Sequence, residues 1–395
     1  MVQSSRRTFL ASAFGALLLA ACAGTAAPST PIPSPAPPSP SAPASAKPAV
    51  SVAASAAAKP AASASAKPGG SAAAAASGAG GVAVVKVGNS SASPTNGGEY
   101  VANGMGLFEK QGLKIEHITF NAASAVAPAL ATGEVDVADV GVNPAMFNTM
   151  AAALGAKVVA DKGSAPPGFG SASVLVRKDL ADKVKGPADF KGLNVAMTPP
   201  GLGTSAGYAL TQWLATGGVT PNDLHIQPLA FPEQPAALSN KAIDAAMTAE
   251  PFATQAINNG FAVRLTTWDK MVPNQQIAAY AYSAKFIQNR DVAVRWMTAY
   301  VQGIRVYDDA FMKNKNKDQV IEIMARETPI KDLKLWSEMI PAGLNPDGKL
   351  NVKSIEDLEE FFKKLNLIAA NTPPPSTFID ESFTDAAVKQ LGPYN

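Results

Sequence analysis

An internal repeat constrains the fold of this chain more than any other feature of its sequence. The segment A-P-A-L-A-T-G-E-V-D-V-A-D-V-G-V-N-P at residues 127–144 has a near copy, P-A-A-L-S-N-K-A-I-D-A-A-M-T-A-E-P-F, at residues 235–252. Each copy has the pattern of a helix end, a short apolar strand, and a polar residue before a proline that opens the next helix. Such a repeat indicates two α/β lobes of like construction. Two strand ends that face each other would form a cleft.

Short apolar segments rich in β-branched residues alternate with segments of helical spacing from about residue 82 to residue 283. This alternation is typical of βαβ units and of mainly parallel sheets. From Arg290 onward the spacing is helical, with Met297, Val301 and Ile304 on one face. We therefore predict an α/β fold in which helices flank mainly parallel sheets and a helical region follows them.

The N-terminal residues resemble an export signal and are set aside from the fold. Residues 5–10, S-R-R-T-F-L, resemble a twin-arginine signal, and the apolar run that follows is shorter than the about 20 residues of a membrane-spanning helix. The run ends in L-A-A-C, which resembles the lipobox of bacterial lipoproteins. We therefore predict a signal peptide at residues 1–21 and lipidation of Cys22, with a plain secretory peptide as the alternative. Cys22 is the only cysteine, so no intramolecular disulfide can form.

Residues 22–82 are predicted to be a disordered tether. The segment is almost entirely Ala, Ser, Pro and Gly, with no aromatic residue, so it cannot bury enough apolar surface to offset its ordering entropy. It also lacks acidic residues, so the formal charge of +2 for the whole chain hides a slightly acidic remainder. There is no basic run with interleaved aromatic residues, and the sequence therefore argues against a nucleic-acid partner.

A glycine-containing turn at residues 200–208 is a candidate binding site. Gly201 and Gly203 let the backbone approach a ligand closely, and the hydroxyl groups of Thr204 and Ser205 flank the start of a predicted helix. The free N–H groups and the positive end of the helix dipole suit an anion. The same hydroxyl groups can serve as plain N-caps, so a purely structural role is the alternative.

The two copies of the repeat end in Asn143 and Glu250, each followed by a proline. Proline favours the first position of a helix, and Asn143 can be explained as an N-cap. Glutamate is a weak N-cap, so Glu250 is the better candidate for a ligand contact. A salt bridge across the cleft, or an interaction with the local helix dipole, is the alternative. Asp136 and Asp244 lie inside the strand motif and are predicted to be structural.

Residues for enzyme chemistry are scarce in this sequence. The two histidines, His117 and His225, lie in predicted strands away from any motif. The sequence contains no phosphate-binding loop followed by Lys-Ser/Thr, no metal-ligand spacing and no serine nucleophile elbow. We therefore predict no catalytic residue, no metal site and no cofactor.

Six short motifs follow one another in a characteristic order. They are G-L-F-E-K-Q-G-L-K-I-E at 106–116, A-L-A-T-G-E-V-D-V-A at 129–138, L-V-R-K-D-L at 175–180, F-K-G-L-N-V-A at 190–196, G-T-S-A-G-Y at 203–208 and A-E-P-F at 249–252. In this order and spacing they resemble the substrate-binding proteins of ABC importers, in the branch for nitrate, sulfonate, taurine and pyrimidine precursors. The similarity covers about residues 83–310.

The resemblance implies a periplasmic-binding-protein fold of two lobes with two hinge crossovers, a ligand between the lobes, and closure on binding. Residues 83–172 would form the first part of lobe I, residues 173–277 lobe II, and residues 278–395 the return to lobe I and the C-terminal helices. Carried over by position, the ligand-binding residues are Ser90, Ser91, Ser93, Phe120, Asn143, Gly203, Thr204, Ser205 and Glu250.

The resemblance also implies a function. We expect a monomeric, extracytoplasmic lipoprotein that binds a small organic ligand, such as a sulfonate or carboxylate, and passes it to a membrane permease driven by an ATPase. A ligand-sensing receptor for a signalling partner and a binder of a pyrimidine or thiamine precursor are the alternatives. Relatives that make thiamine pyrimidine carry a cysteine-rich motif that this chain lacks, so that activity is disfavoured. Ala249 stands where family members often have an aromatic residue, which reshapes the pocket.

Overall fold

The structure is a computed structural model that describes residues 81–89, 93–120, 123–152 and 155–395. The predicted signal peptide, Cys22, the tether up to residue 80, Ser90 and Ser91 lie outside the described residues. Within the described residues, no helix is both long and apolar enough to span a membrane.

The first lobe is built on a five-stranded sheet with the order β2-β1-β3-β10-β4. Its strands are β1 (Ala83–Asn89), β2 (Leu113–Thr119), β3 (Val137–Gly141), β4 (Lys157–Ser164) and β10 (Gln276–Tyr282). β1 pairs in parallel with β2 and β3, whereas β10 runs antiparallel to both β3 and β4. The sheet is therefore mainly parallel, and the exception is the strand that returns from the second lobe.

The second lobe repeats this plan with the order β7-β6-β8-β5-β9. Its strands are β5 (Ala172–Arg177), β6 (Asn194–Met197), β7 (His225–Pro228), β8 (Ala245–Ala249) and β9 (Ala262–Thr267). β6 pairs in parallel with β7 and β8, and β5, which enters from the first lobe, runs antiparallel to β8 and β9. The predicted α/β fold with two lobes is confirmed.

The aspartates shared by the two copies of the repeat have the same role in both lobes. Asp136 Oδ2 accepts a hydrogen bond from Lys86 N at 3.0 Å, and Asp244 Oδ2 accepts one from Asn194 N at 2.9 Å. Each carboxylate thus ties the start of its strand motif to the neighbouring parallel strand. This geometry supports the structural role that the sequence predicts for both residues.

Helices cover both faces of each sheet. The first lobe carries α1 (Gly97–Gly104), α2 (Leu107–Lys110), α3 (Ala123–Thr132) and α4 (Pro144–Ala152). The second lobe carries α5 (Ser205–Ala215), α6 (Gln234–Ser239), α7 (Phe252–Asn258) and α8 (Trp268–Met271). The C-terminal part forms α9 (Ala284–Gln288), α10 (Arg290–Lys313), α11 (Lys317–Glu327), α12 (Leu333–Glu338), α13 (Val352–Lys364) and α14 (Ser382–Leu391). The sequence pattern did not predict α14.

Helix α10 is the central helix of the first lobe's core. Met297, Val301 and Ile304, predicted to share one face, are fully buried there. Trp296 and Tyr300 extend the same face, and their rings stack with centroids 5.3 Å apart. Aromatic pairs of this kind add to the stabilisation from buried area, so α10 anchors the C-terminal part to the first sheet.

Two connecting segments, residues 165–171 and 268–275, join the lobes. They are hydrogen bonded to each other, because Ala165 N donates to Gln275 O at 3.0 Å and Asn274 N donates to Ala165 O at 2.7 Å. A further bond of 2.8 Å runs from Gly168 N to Asp269 Oδ2. The two crossings therefore form one paired hinge.

The hinge brings the carboxyl edges of the two sheets toward each other. The first crossing leaves the end of β4 and enters β5, where Ala172 pairs with Ala249 at the end of β8. The second leaves the end of β9 and enters β10, where Ala278 pairs with Gly141 at the end of β3. In open α/β sheets, ligands bind outside the carboxyl ends of the strands. The space between the two edges is therefore the candidate ligand site.

Candidate functional site

The described ligand residues that the sequence predicts all follow the carboxyl ends of parallel strands. Ser93 follows β1, Phe120 follows β2 and Asn143 follows β3 in the first lobe. Residues 203–205 follow β6 and Glu250 follows β8 in the second lobe. Among the described residues, no hydrogen bond joins two members of this set. They are instead held by other neighbours, and two of these bonds come from outside the edge. Ile340 N donates to Glu250 Oε1 at 3.5 Å, and Gln275 Nε2 donates to Ser205 O at 2.9 Å.

In the first lobe, the loop after β1 is held by hydroxyl groups. Ser93 Oγ accepts a hydrogen bond from Thr95 N at 3.3 Å and lies 3.0 Å from Thr95 Oγ1. Ser93 thereby caps the short 3-10 turn at Pro94–Asn96. Phe120 donates its backbone N–H to Asn89 O at 2.8 Å and packs, half-buried, against the hydrophobic core. Phe120 therefore places an aromatic side chain at the carboxyl end of β2, between the core and this edge.

A buried ion pair lies behind this loop, and sequence reasoning missed it. Lys162 Nζ is 2.9 Å from Asp139 Oδ1 and donates to Thr95 Oγ1 at 2.9 Å. Both charged residues are buried, with relative exposures of 2% and 6%. A lysine in the apolar run V-V-A-D-K-G was the available signal, because a buried lysine needs a partner. The pair fixes the loop after β1 against β4.

Asn143 is an N-cap, as its position before proline indicates. Its Oδ1 accepts a hydrogen bond from Met146 N at 3.0 Å, and α4 begins at Pro144. The Nδ2 group of Asn143 makes no hydrogen bond with the residues that the structure describes. The cap therefore uses one half of the amide and leaves the other half as a donor at the edge.

At the start of α5, the capping and the free donors belong to different residues. Thr204 Oγ1 accepts a hydrogen bond from Gly207 N at 3.0 Å and donates to Gly201 O at 2.8 Å. Within the described part of the chain, Ser205 Oγ and the N–H groups of Ser205 and Ala206 have no hydrogen-bond partner. Thr204 is thus the structural residue of the turn. The donors of the turn that have no partner among the described residues belong to Ser205 and Ala206.

Gly203 permits a close approach between the two lobes at this turn. A Cβ atom at this position would lie 3.3 Å from Leu367 Cδ1, in the C-terminal part, and 3.1 Å from Pro200 Cγ. Both distances are tighter than ordinary van der Waals contact. Close approach is therefore the structural reason for a glycine here.

The carboxylate of Glu250 has partners in both lobes, because Ile340 N in the C-terminal part also donates to its Oε1 at 3.5 Å. Its Oε2 accepts a hydrogen bond from Thr254 N at 3.0 Å, and its Oε1 lies 2.5 Å from Arg264 Nη2. The side chain is fully buried. Glu250 therefore interacts with the helix start, and its salt bridge is to Arg264 in β9 of the same lobe rather than across the cleft. Glu250 reaches past Pro251 to a helix that begins at Phe252, so it binds the helix start without occupying the N-cap position.

The lobes also touch on both flanks of the edges. On one flank the rings of Tyr208 in α5 and Phe361 in α13 meet edge-on, with centroids 5.2 Å apart, and burial raises the pKa of Tyr208. On the other flank Asn258 Nδ2 donates to Glu338 Oε2 at 2.7 Å. A cavity of about 240 Å³ beside that bond is lined by residues of α7 and α12 and by none of the predicted ligand residues.

Comparison with known proteins agrees with this architecture. A protein of Brachyspira hyodysenteriae, named as an ABC transporter periplasmic binding protein, is 28% identical over 213 residues. The aligned part is 52% of this chain and 59% of that protein. The chain therefore spans a little over half the length of this relative.

Solved structures share the fold. The alkanesulfonate-binding protein SsuA from Xanthomonas axonopodis pv. citri, bound to MOPS, has a TM-score of 0.59 and 19% identity, covering 76% of this chain and 99% of that one. The nitrate-binding protein NrtA from Synechocystis PCC 6803 has a TM-score of 0.64 and 16% identity, covering 78% of this chain and 89% of that one.

The fold also occurs in an enzyme. The desulfurization enzyme DSZB has a TM-score of 0.56 and 13% identity, covering 78% of this chain and 100% of that one. At this level of identity the likeness describes the fold alone.

The sequence match to a family is more specific. Residues 83–325, well over half of the chain, match the NMT1-like family. The chain therefore belongs to the NMT1-like family.

Proposed function

We propose that this protein is the extracytoplasmic solute-binding component of an ABC importer. It binds a small organic anion, of the sulfonate or carboxylate type, between its two lobes and delivers it to a membrane permease. The family match, the named relative and the fold support this proposal at the level of the protein class. The ligand class rests on the geometry of the site.

The start of α5 is the observation that carries the ligand class. Ser205 Oγ and the N–H groups of Ser205 and Ala206 lack partners in the described structure, while Thr204 already caps the helix. These donors lie at the positive end of a helix that runs from Ser205 to Ala215. A helix start with free N–H groups stabilises a negative charge. The acidic group of the ligand is therefore placed here.

The remaining predicted residues complete the site around this group. The Nδ2 group of Asn143 donates from the first lobe to the other end of the ligand, and Ser93 and Phe120 line the same edge. Ser90 and Ser91, which lie outside the described residues, stay proposed ligand contacts. Glu250 shapes the second edge rather than presenting a bare charge, because Arg264 pairs with it. An anion at Ser205 thus meets a neutralised carboxylate.

The N-terminal region supplies the attachment in this proposal. Cleavage before Cys22 and lipidation of its thiol would hold the protein at the outer face of the cytoplasmic membrane or another extracytoplasmic surface. Residues 22–82 would let the two lobes, proposed at 83–172 with 278–395 and at 173–277, reach the permease as a monomer. The lipobox-like L-A-A-C and the Ala/Ser/Pro composition support this arrangement.

No catalytic role is proposed for this site. A general base or nucleophile must be within reach of the reacting atom, and the carboxylates near the two edges, Glu250 and Asp139, are held in ion pairs. An enzyme that used Glu250 would show turnover that Glu250→Gln abolishes while binding persists. Ligand recovered unchanged after incubation with the protein supports the binding role.

Isothermal titration of the purified protein against alkanesulfonates, short carboxylates and aminopyrimidines tests the proposal. We expect saturable binding within the two anion classes, and a decrease in the radius of gyration by solution scattering on binding. Saturable binding to aminopyrimidines alone would replace the ligand class by the pyrimidine alternative. No binding and no compaction with any of the three classes would contradict the proposal.

A further inference from the structure

Two adjacent glutamines at the end of the second crossing are bonded to opposite lobes. Gln275 and Gln276 are both fully buried. Gln275 Nε2 donates to Ser205 O at 2.9 Å, at the start of α5 in the second lobe. Gln276 Nε2 donates to Asp161 Oδ1 at 2.5 Å, in β4 of the first lobe. The chain therefore changes from bonding with the second lobe to bonding with the first lobe between these two residues.

Both ends of the Gln275 amide are used. Its Oε1 accepts a hydrogen bond from the indole Nε1 of Trp268 at 2.7 Å. Trp268 and Gln275 are the first and last residues of the second crossing, so this bond ties the two ends of the crossing together. Its backbone carbonyl also accepts from Ala165 N in the first crossing at 3.0 Å. Gln275 is thus hydrogen bonded within the second crossing and to the first crossing.

The Ser205 carbonyl that accepts from Gln275 is in the same peptide group as the Ala206 N–H, one of the donors without a partner among the described residues. The C=O of Ser205 and the N–H of Ala206 form one planar peptide group and point in opposite directions. The carbonyl already belongs to the first turn of α5, and Gln275 is a further donor to it, so this bond adds a second restraint on the direction of the Ala206 N–H. Hydrogen bonds in series also polarise one another, so the bond from Gln275 makes the Ala206 N–H a better donor to an anion.

We propose that Gln275 is a positioning residue that links the anion-binding turn to the hinge. It orients the Ser205–Ala206 peptide group for the ligand, and through Trp268 and Ala165 it makes the orientation of that group depend on the geometry of the crossings. Closure of the lobes and presentation of the Ala206 N–H are then one coupled event. This inference rests on the proposed function only in assigning the turn to the ligand.

The chain contains a matched control for Gln275. Gln234 is also fully buried in the second lobe, and its Nε2 also donates to a backbone carbonyl, that of Leu229, at 2.9 Å. It lies at the start of α6, away from both crossings. Gln275→Met and Gln234→Met therefore both remove a buried bond to a backbone carbonyl, and only the first also removes bonds at the hinge, including the one from Trp268.

The test measures the distance between the lobes without any ligand. In the full chain with Cys22→Ser, spin labels are placed at Lys114→Cys and Lys185→Cys, whose parent side chains are 64% and 67% exposed. Pulsed electron paramagnetic resonance then gives the distribution of distances between them. We expect Gln275→Met to broaden the distribution and shift it to longer distances, whereas Gln234→Met leaves it as in the parent. An unchanged distribution in Gln275→Met, or equal broadening in both variants, overturns the proposal.

A second variant covers the case in which Gln275→Met does not fold. Gln275→Glu keeps an acceptor for the indole of Trp268 but faces the Ser205 carbonyl with a carboxylate oxygen instead of a donor. We expect the same broadening from this variant, and an unchanged distribution would again overturn the coupling. Failure of every anion to bind would contradict the proposed function. The distance measurement uses no ligand, so it would still decide whether Gln275 couples the turn to the hinge. An unchanged distribution would remove the coupling and leave anion binding intact.

Discussion

Arg264 Nη2 lies 2.5 Å from Glu250 Oε1, and this contact joins β9 to the loop that follows β8. β5 separates these two strands in the sheet, so the pair spans the strand that enters from the first lobe. The carboxylate is fully buried, and the guanidinium side chain is one quarter exposed. The repeat therefore ends differently in its two copies. Asn143 caps its helix, whereas Glu250 also needs a charged partner from outside the repeat.

The pair gives a first prediction about stability. We expect Arg264→Met to lower the free energy of unfolding by about 2–3 kcal/mol, because it leaves a buried carboxylate without a counter-charge. Glu250→Gln should cost less, since the amide oxygen can still accept from Thr254 N. The double variant should lose less than the sum of the single variants. Urea unfolding measures all three, and strictly additive losses would show that the two side chains do not interact.

The division of roles at the start of α5 gives a second prediction. Ser205→Ala should weaken binding of the best anion of the titration panel by roughly 10- to 100-fold, as expected for a lost hydrogen bond to a charged group, with little change in stability. Thr204→Ala should lower the free energy of unfolding by about 1 kcal/mol through loss of the N-cap. Titration and urea unfolding of both variants check this division. A large stability loss in Ser205→Ala with unchanged affinity would reverse it.

Asn143 offers a third prediction, in which one residue carries two separable roles. Asn143→Ser keeps a good N-cap oxygen and removes the Nδ2 donor, so affinity should fall while the melting temperature stays close to that of the parent. Asn143→Ala removes both groups, so it should also lower the free energy of unfolding by about 1 kcal/mol. Calorimetric titration and thermal unfolding measure the two effects. Equal affinity in the parent and in Asn143→Ser would exclude the amide from the ligand contact.

Asp308 in α10 gives a fourth prediction, on pH. Burial raises its pKa to about 8, with Asp161 and Asp309 adding to the effect. The folded protein therefore holds a proton that the unfolded chain loses, and the free energy of unfolding should fall as pH rises from about 4 to about 8. The slope is up to about 1.4 kcal/mol per pH unit. Asp308→Asn should flatten it above pH 6, and Asp161, with a pKa raised to about 6 by burial, accounts for a remaining slope below that value.

The neighbouring residue provides the control for this pH dependence. A hydrogen bond from Lys313 is the main cause that lowers the pKa of Asp309 to about 2. Its contribution is therefore present above the pKa of the unfolded chain and is lost only in acid. Asp309→Asn should leave a clear negative slope between pH 6 and pH 8. Urea unfolding at several pH values distinguishes the variants, and a slope that persists in Asp308→Asn above pH 6 would contradict the assignment.

Much of the fold was predictable because its signals are local. The alternation of apolar and helical segments from about residue 82 to residue 283 predicted strands separated by helices, and β1 to β10 lie between Ala83 and Tyr282. The positions that follow strand ends were also accessible, because a strand followed by a cap residue and a helix can be recognised within a few residues. The capping role of Asn143 depends on a residue three positions ahead.

Other features depend on pairs of residues that are distant in sequence. The antiparallel strand β10 lies between β3 and β4, and no local pattern in its sequence specifies that position. Lys162 and Asp139 meet only because their strands flank β10 in the first sheet. Helix α14 was missed as well, although α10 packs against it. Packing between distant elements decided these features.

The sequence by itself determined the two-lobe plan, the strand ends at which we propose that a ligand binds, and the helix starts that follow them. These features follow from periodicity, from cap chemistry and from the repeat, all of which act over short stretches of chain. Only the tertiary structure decided which of these residues have donors left over. Among the described residues, the side chains of Thr204 and Glu250 are engaged by neighbours and Ser205 Oγ is not, while Gln275 donates to the Ser205 carbonyl. Hydrogen bonds between distant segments form only when the fold brings them together, so the availability of a side chain is a tertiary property.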